Sequence, residues 1–140
     1  MPGMRIVVDT NVLISGIFWG GIPAEIVHAW AEVRCRVICS AEIIAEYGEV
    51  LRRVNPGLEP SELDQILSFL ISRTEIVQPA HWFKIVPEDP GDDKFLDCAF
   101  HGQADAIISG DKHLLQLEKF GPSRILSPSE FKKKFPRIFS

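Results

Sequence analysis

The stretch Arg5-Ile6-Val7-Val8-Asp9 decides how the rest of the chain is read. Three apolar β-branched residues run without polar alternation into a carboxylate, the pattern of a short strand buried on both faces of a parallel sheet. Working outward, Val37-Ile38-Cys39, Ile76-Val77, Ala106-Ile107-Ile108 and Ile125-Leu126 repeat it as further short strands. Helical signals lie between them. Pro23 falls in the first turn of a helix with Ile26, Val27 and Trp30 on its apolar side. Ser40 caps a helix from Ala41 to about Val54 that packs through Ile43, Tyr47, Val50 and Leu51 and ends at Asn55-Pro56-Gly57. Pro60-Ser61 opens a helix in which Leu63, Ile66, Leu67, Leu70 and Ile71 recur at three- and four-residue spacing. The turn Asp89-Pro90-Gly91-Asp92 leads into a helix from Asp93 to His101, Gly110-Asp111 into a short helix with Leu114 and Leu115, and Pro128-Ser129 into a last helical turn. The segment Ser15 to Gly21, with Gly16, Gly20, Gly21 and the pair Phe18-Trp19, reads as a loop able to move. Strands alternating with helices over short connections predict one α/β domain spanning residues 1–140, with its core over about 5–131.

Composition narrows the function. A chain of 140 residues, 46% hydrophobic and 24% charged, suits an ordinary globular domain. No apolar run approaches the length of a bilayer span, and the start Met1-Pro2-Gly3-Met4-Arg5 lacks the form of a signal peptide, so a cytoplasmic location and no membrane partner are expected. Cys35, Cys39 and Cys98 read as buried thiols rather than a zinc site or a disulfide framework. A net charge of −4 weighs against a module that grips nucleic acid by a broad basic surface. It weighs less against a metallonuclease, whose clustered carboxylates are negative until cations arrive.

The informative acids stand where strands stop. Asp9-Thr10-Asn11 follows the first strand and Ser109-Gly110-Asp111 the fourth, so both aspartates emerge at the carboxyl edge of a parallel sheet, where ligands bind. Glu46 lies in the helix after the second strand, and Asp93 in the first turn of the helix before the fourth. Read singly, Asp9 is a turn residue, Glu46 a solvated helix position, Asp93 a charge near a helix start and Asp111 a helix cap. Together they repel, and Mg²⁺ or Mn²⁺, hard ions that prefer oxygen ligands, resolve that conflict. One or two such ions activate water and steady a phosphodiester. Thr10, Asn11 and Ser109 are placed to hydrogen-bond the carboxylates or a substrate phosphate.

Four stretches together resemble the PIN-domain ribonucleases, in particular the bacterial and archaeal toxins of toxin–antitoxin systems: IVVDTNVLISG at 6–16, SAEIIAEYGEVL at 40–51, DPGDDKFLDCA at 89–99 and ADAIISGDKHLL at 104–115. The resemblance implies a three-layer α/β/α fold on a parallel sheet of order 3-2-1-4-5. It carries the family's acidic ligands onto Asp9, Glu46, Asp93 and Asp111, with Asp97 one helical turn after Asp93 sharing the metal face. Ser109 stands where a threonine is common, which keeps the hydroxyl. Asp92 and Asp89 are alternatives to Asp93, with Asp92 better suited to capping the helix; Glu42 is a weaker ligand candidate. The implied activity is Mg²⁺- or Mn²⁺-dependent hydrolysis of RNA, commonly single-stranded, with an antitoxin protein and a homodimer as partners.

Other readings compete. A PIN-like protein with weak or absent catalysis can bind nucleic acid or regulate, and a DNA nuclease or phosphatase can use the same ions. His101 and His113 read as surface or packing residues, and Arg34, Arg36, Arg52 and Arg53 as surface charge. Phe18-Trp19 suits either a groove wall that stacks a base or a packing contact. Trp82-Phe83 and the third helix are candidates for a dimer interface.

Overall fold

The computed structural model describes residues 3–55, 57–79 and 90–140. Strand β1 (Arg5–Val8) is followed by helices α1 (Thr10–Phe18) and α2 (Gly21–Ala31), strand β2 (Arg36–Cys39), helices α3 (Ala41–Val54) and α4 (Pro60–Ile71), and strand β3 (Thr74–Ile76). A 3₁₀ turn over Pro90–Asp92 runs into α5 (Asp93–His101) and β4 (Ala106–Ile108). Then come α6 (Lys112–Leu115), β5 (Lys119–Phe120), β6 (Ser123–Leu126), α7 (Pro128–Lys134) and a closing 3₁₀ turn at Pro136–Phe139. The expectations that fall on Pro56, Trp82, Phe83 and Asp89 lie outside the described residues.

The sheet has the order β3-β2-β1-β4-β6-β5. The first five strands in that order are parallel, as the alternation of strands and helices requires, with Val8 opposite Ile108 and Ile108 opposite Leu126. This is the order 3-2-1-4-5 that the family resemblance implies, with β6 as the fifth parallel strand. β5 adds a short antiparallel edge, folded back through Gly121 at φ +57°. Ile6, Val7 and Val8 are all fully buried, and since successive strand residues point to opposite faces, helices must cover both. The result is a three-layer α/β/α domain. Among the described residues no single helix is long and apolar enough to cross a membrane.

Two expectations are corrected. The third strand is shifted toward the amino end of Ile76-Val77, because Thr74 is anchored there: the Trp30 indole donates to its hydroxyl at 3.0 Å and the hydroxyl donates to the Leu70 carbonyl at 2.7 Å. The larger correction concerns Ser15 to Gly21. Helix α1 runs through it to Phe18, with Val12, Leu13 and Ile14 buried, and the break comes at Gly20 and Gly21, whose φ angles of 83° and 71° turn the chain 97° into α2. Gly16 is in the helix for lack of room: a Cβ there would lie 2.5 Å from Val27 Cγ2 and 2.6 Å from the Pro23 carbonyl oxygen. Its role is close packing of α1 on α2, not motion.

The cap expected at Ser40 is present. Ser40 Oγ accepts from the Ile43 amide at 3.3 Å and starts α3, whose Ile43, Tyr47 and Leu51 are buried. All three cysteines are free and buried, and burial pushes the Cys35 thiol up to about 11 and Cys39 to about 12.

Gly16→Ala distinguishes packing from mobility by sign. A mobile or merely helical glycine would gain up to about 1 kcal/mol from alanine. The overpacked contact with Pro23 and Val27 should instead cost about 1–3 kcal/mol in urea unfolding.

Candidate active site

The carboxyl edge of the sheet is organised around Asp9. The last residue of β1 is paired with β4, and the Asp9 amide itself donates to the Ile108 carbonyl at 3.0 Å. Its side chain is only 4% exposed. One carboxylate oxygen accepts from the Asn11 amide at 2.7 Å, capping α1, and the other accepts from the Ser109 hydroxyl at 2.5 Å. Burial raises the Asp9 carboxyl above its ordinary 3.8; the two hydrogen bonds oppose this, and the nearby charges of Asp111 and Glu46 add to it.

Ser109 also joins Asp9 to Asp111. Its Oγ accepts from the Asp111 amide at 2.9 Å while donating to Asp9, and its own amide is held by the Leu126 carbonyl at 2.9 Å. Asp111 caps α6 by accepting from the His113 amide at 2.7 Å. The capping reading and the site reading of Asp111 therefore describe one geometry: the bond uses one oxygen of a carboxylate that faces the same edge.

Glu46 arrives from α3. Its Oε2 accepts from the buried Thr10 hydroxyl at the start of α1, and its Oε1 accepts from Lys94 Nζ at 2.6 Å. Lys94 is the first residue after Asp93 in α5, so this ion pair brings the start of that helix to Glu46. Asp93 is half-buried there, and Asp97, one turn further on, is 3% exposed. Asp92 holds the N-cap position of α5, yet makes no side-chain capping bond: the preceding 3₁₀ turn leaves it at helical angles (φ −75°, ψ −17°) rather than the extended ones a cap needs. That corrects the capping role expected for Asp92.

Thr10 donates its hydroxyl to Glu46 and Ser109 its hydroxyl to Asp9. Asn11 contributes its backbone amide, and its side chain is exposed. Two contributors were missed. Tyr47 is fully buried and donates to the Val8 carbonyl at 2.5 Å, tying α3 to the last turn of β1 beside Asp9; a tyrosine on the core face of a helix needs such a partner. Lys94 was read only as part of a motif, although it is the one lysine or arginine between Pro90 and Asp111. The arginines stay as surface charge: Arg52 pairs with Asp64, Arg53 with Glu49 and Arg34 with Glu32. Trp19 is 62% exposed at the far end of α1, about 15 Å along the helix from Asp9, edge-on to Phe18.

Among the described residues no three His, Cys, Asp or Glu side chains stand close enough to hold an ion as they are. The donor chemistry nevertheless suits a hard divalent cation, being oxygen throughout, and the carboxylates are near enough for Asp111 and Glu46 to raise Asp9. Protein donors already engage oxygens of this set, among them Lys94 on Glu46.

The three-layer α/β/α sheet collects carboxylates and hydroxyls at its carboxyl edge, the usual place for a site in such folds. Residues 5–113 match the PIN domain family model, and the chain belongs to that family, whose members handle nucleic acid through chemistry that is in general metal-dependent. Comparison with curated proteins finds no match.

The raised Asp9 carboxyl makes a signed prediction. A carboxyl raised on folding stabilises the fold fully below its unfolded value near 3.8 and loses that contribution as pH climbs through the folded value. Asp9→Asn keeps an acceptor for Asn11 and a donor for Ser109 without the charge. In chelator-treated protein it should therefore unfold at higher urea than wild type at pH 7, with the gap closing toward pH 4.

Proposed function

We propose that this protein is a divalent-metal-dependent endoribonuclease that hydrolyses phosphodiester bonds in single-stranded RNA, with Asp9, Glu46, Asp93 and Asp111 holding one or two Mg²⁺ or Mn²⁺ ions. The observation that carries the reading is the buried Asp9 linked through Ser109 to Asp111, with Glu46 close enough to act on its charge, in a chain of the PIN domain family. When bound, a divalent ion supplies Lewis acidity that makes water a nucleophile at neutral pH and offsets charge on the phosphate oxygens.

The chain's own residues do the rest. Asp9 is fixed by Asn11 and Ser109, which commit one lone pair on each oxygen and leave the others for an ion. Thr10 orients Glu46, and the turn of α5 that carries Asp93 brings Asp97 behind it as a further ligand or a support. In the hydrolysis the water oxygen bonds phosphorus, one P–O ester bond breaks, and a proton goes to the leaving oxygen. No serine, cysteine or histidine nucleophile is needed, in keeping with thiols buried and pushed up by burial. We further propose that the protein serves as the toxin of a toxin–antitoxin pair, restrained by an antitoxin protein and working in the cytoplasm, and that it forms a homodimer.

A second reading, a catalytically weak binding or regulatory protein, is favoured by one observation: Lys94 already neutralises Glu46. Cleavage of unstructured RNA, single-stranded DNA and a phosphate monoester, each with Mn²⁺, Mg²⁺ or chelator, separates the readings. Metal-dependent cleavage of RNA that falls at least about 100-fold in Asp9→Asn and in Asp93→Asn is expected. Activity unchanged in both variants sinks the assignment, turnover of DNA or monoester alone redirects it, and no turnover of any substrate favours the binding protein.

A further inference from the structure

The geometry points to Lys94 as the resident counter-cation of this site: it holds Glu46 while no divalent ion is bound, and it sets the metal affinity because the ion must take that carboxylate from it. The inference rests on the reading of Glu46 as a metal ligand.

Both oxygens of Glu46 are engaged. Thr10 Oγ1 donates to Oε2, a contact compatible with a ligand because a hydroxyl leaves a second lone pair and adds no charge. Lys94 Nζ lies 2.6 Å from Oε1, where a divalent ion bound to the same oxygen would sit about 2.0–2.1 Å away. An ammonium and a doubly charged ion on one oxygen repel strongly, so the two occupancies compete. Each must weaken the other by the same factor.

The lysine is built into this position rather than laid over it. Nζ also donates to the Gly91 carbonyl at 2.8 Å, within the 3₁₀ turn that opens α5, and the stem follows the helix whose neighbouring Phe95 is buried. Its side chain is 17% exposed against 29% for Glu46, whereas a surface pair such as Arg53–Glu49 spans 3.6 Å at 67% and 76%. A half-buried pair at 2.6 Å is screened far less than that one. It also carries the only full positive charge that the stretch from Pro90 to Asp111 offers to the acids at this edge.

The arrangement answers a problem every acidic site has before it is loaded. Carboxylates gathered for a dication destabilise the empty protein by mutual repulsion. A monovalent cation that can swing aside relieves part of that repulsion and does not block loading.

The test measures Mn²⁺ binding to the full chain without RNA, by titration calorimetry and by the solution signal of free Mn²⁺, for wild type, Lys94→Met, Lys94→Arg and Asp9→Asn. Lys94→Met should bind Mn²⁺ about fivefold more tightly or better, the upper end of what an exposed ion pair supplies. Its chelator-treated form should melt below wild type and gain more from Mn²⁺. Lys94→Arg, which keeps a cation, should stay near wild type, and Lys94→Gln replaces the methionine variant if that one does not fold. Wild-type binding that Asp9→Asn weakens but removal of the lysine charge leaves equal or weaker overturns the role of Lys94 alone. No Mn²⁺ binding by wild type or by either neutral variant overturns both it and the metal reading.

Discussion

A carboxylate buried at the end of a central strand is the constraint on which the rest of this structure depends. β1 is covered on both faces, so whatever follows Val8 leaves the sheet without solvent around it. An acidic side chain placed there requires compensation, and the chain supplies it locally: α1 begins at once, giving the Asn11 amide, and β4 lies alongside in a register that sets Ser109 next to Asp9. Had β4 paired one residue out of step, the strand's side-chain alternation would have carried the Ser109 hydroxyl to the other face. The register of the sheet and the arrangement of the site are one fact seen twice.

The same constraint reaches outward through neutral donors. Tyr47, raised well above its ordinary 10 chiefly by burial, stays protonated and donates to the Val8 carbonyl. That bond fixes α3 against the end of β1, and the preceding residue in α3 is Glu46. Thr10 closes the circuit from α1 back to Glu46. The β1–α1 junction, α3 and the end of β4 are thus tied at their meeting point by the hydroxyls of Ser109, Tyr47 and Thr10, groups that orient a carboxylate or carbonyl without neutralising it.

Much of this was legible in the sequence, for reasons that also explain what was not. Strands such as Ile6–Val8 and Ala106–Ile108 are legible because a two-faced burial leaves no polar residue among them, and the cap at Ser40 because a hydroxyl before an amphipathic run has few other uses. Helix α1 was hidden because its start is an acid that belongs equally to a turn, and its Gly16, which looks like a sign of mobility, answers to the approach of Pro23 and Val27, residues that no local pattern connects to it. β5 is two residues long, below any periodicity. The acids Asp9 and Asp111 were legible through their place after strands; Asp92 misled because the 3₁₀ turn, not the residue type, decides whether it caps. Lys94 was passed over since a lysine beside acids ordinarily reads as solvated surface, and only the packing of α5 near α3 turns it inward.

Charge at the carboxyl edge bears on how a polyanion approaches it. The chain is net negative, and Arg34, Arg52 and Arg53 are each committed to an acid beside them, so they form no continuous track for a phosphate backbone. Attraction for nucleic acid can instead be assembled at the site itself. On the proposed reading, each dication that settles among the acids reverses their charge, and Lys94, released from Glu46, adds a cation at the same place instead of cancelling a carboxylate. Substrate affinity would depend on metal loading twice over, once through the ion and once through the lysine it displaces. On that same reading, the hold of this edge on a polyanion weakens when its ions are absent, because the acids gathered there are then uncompensated apart from Lys94.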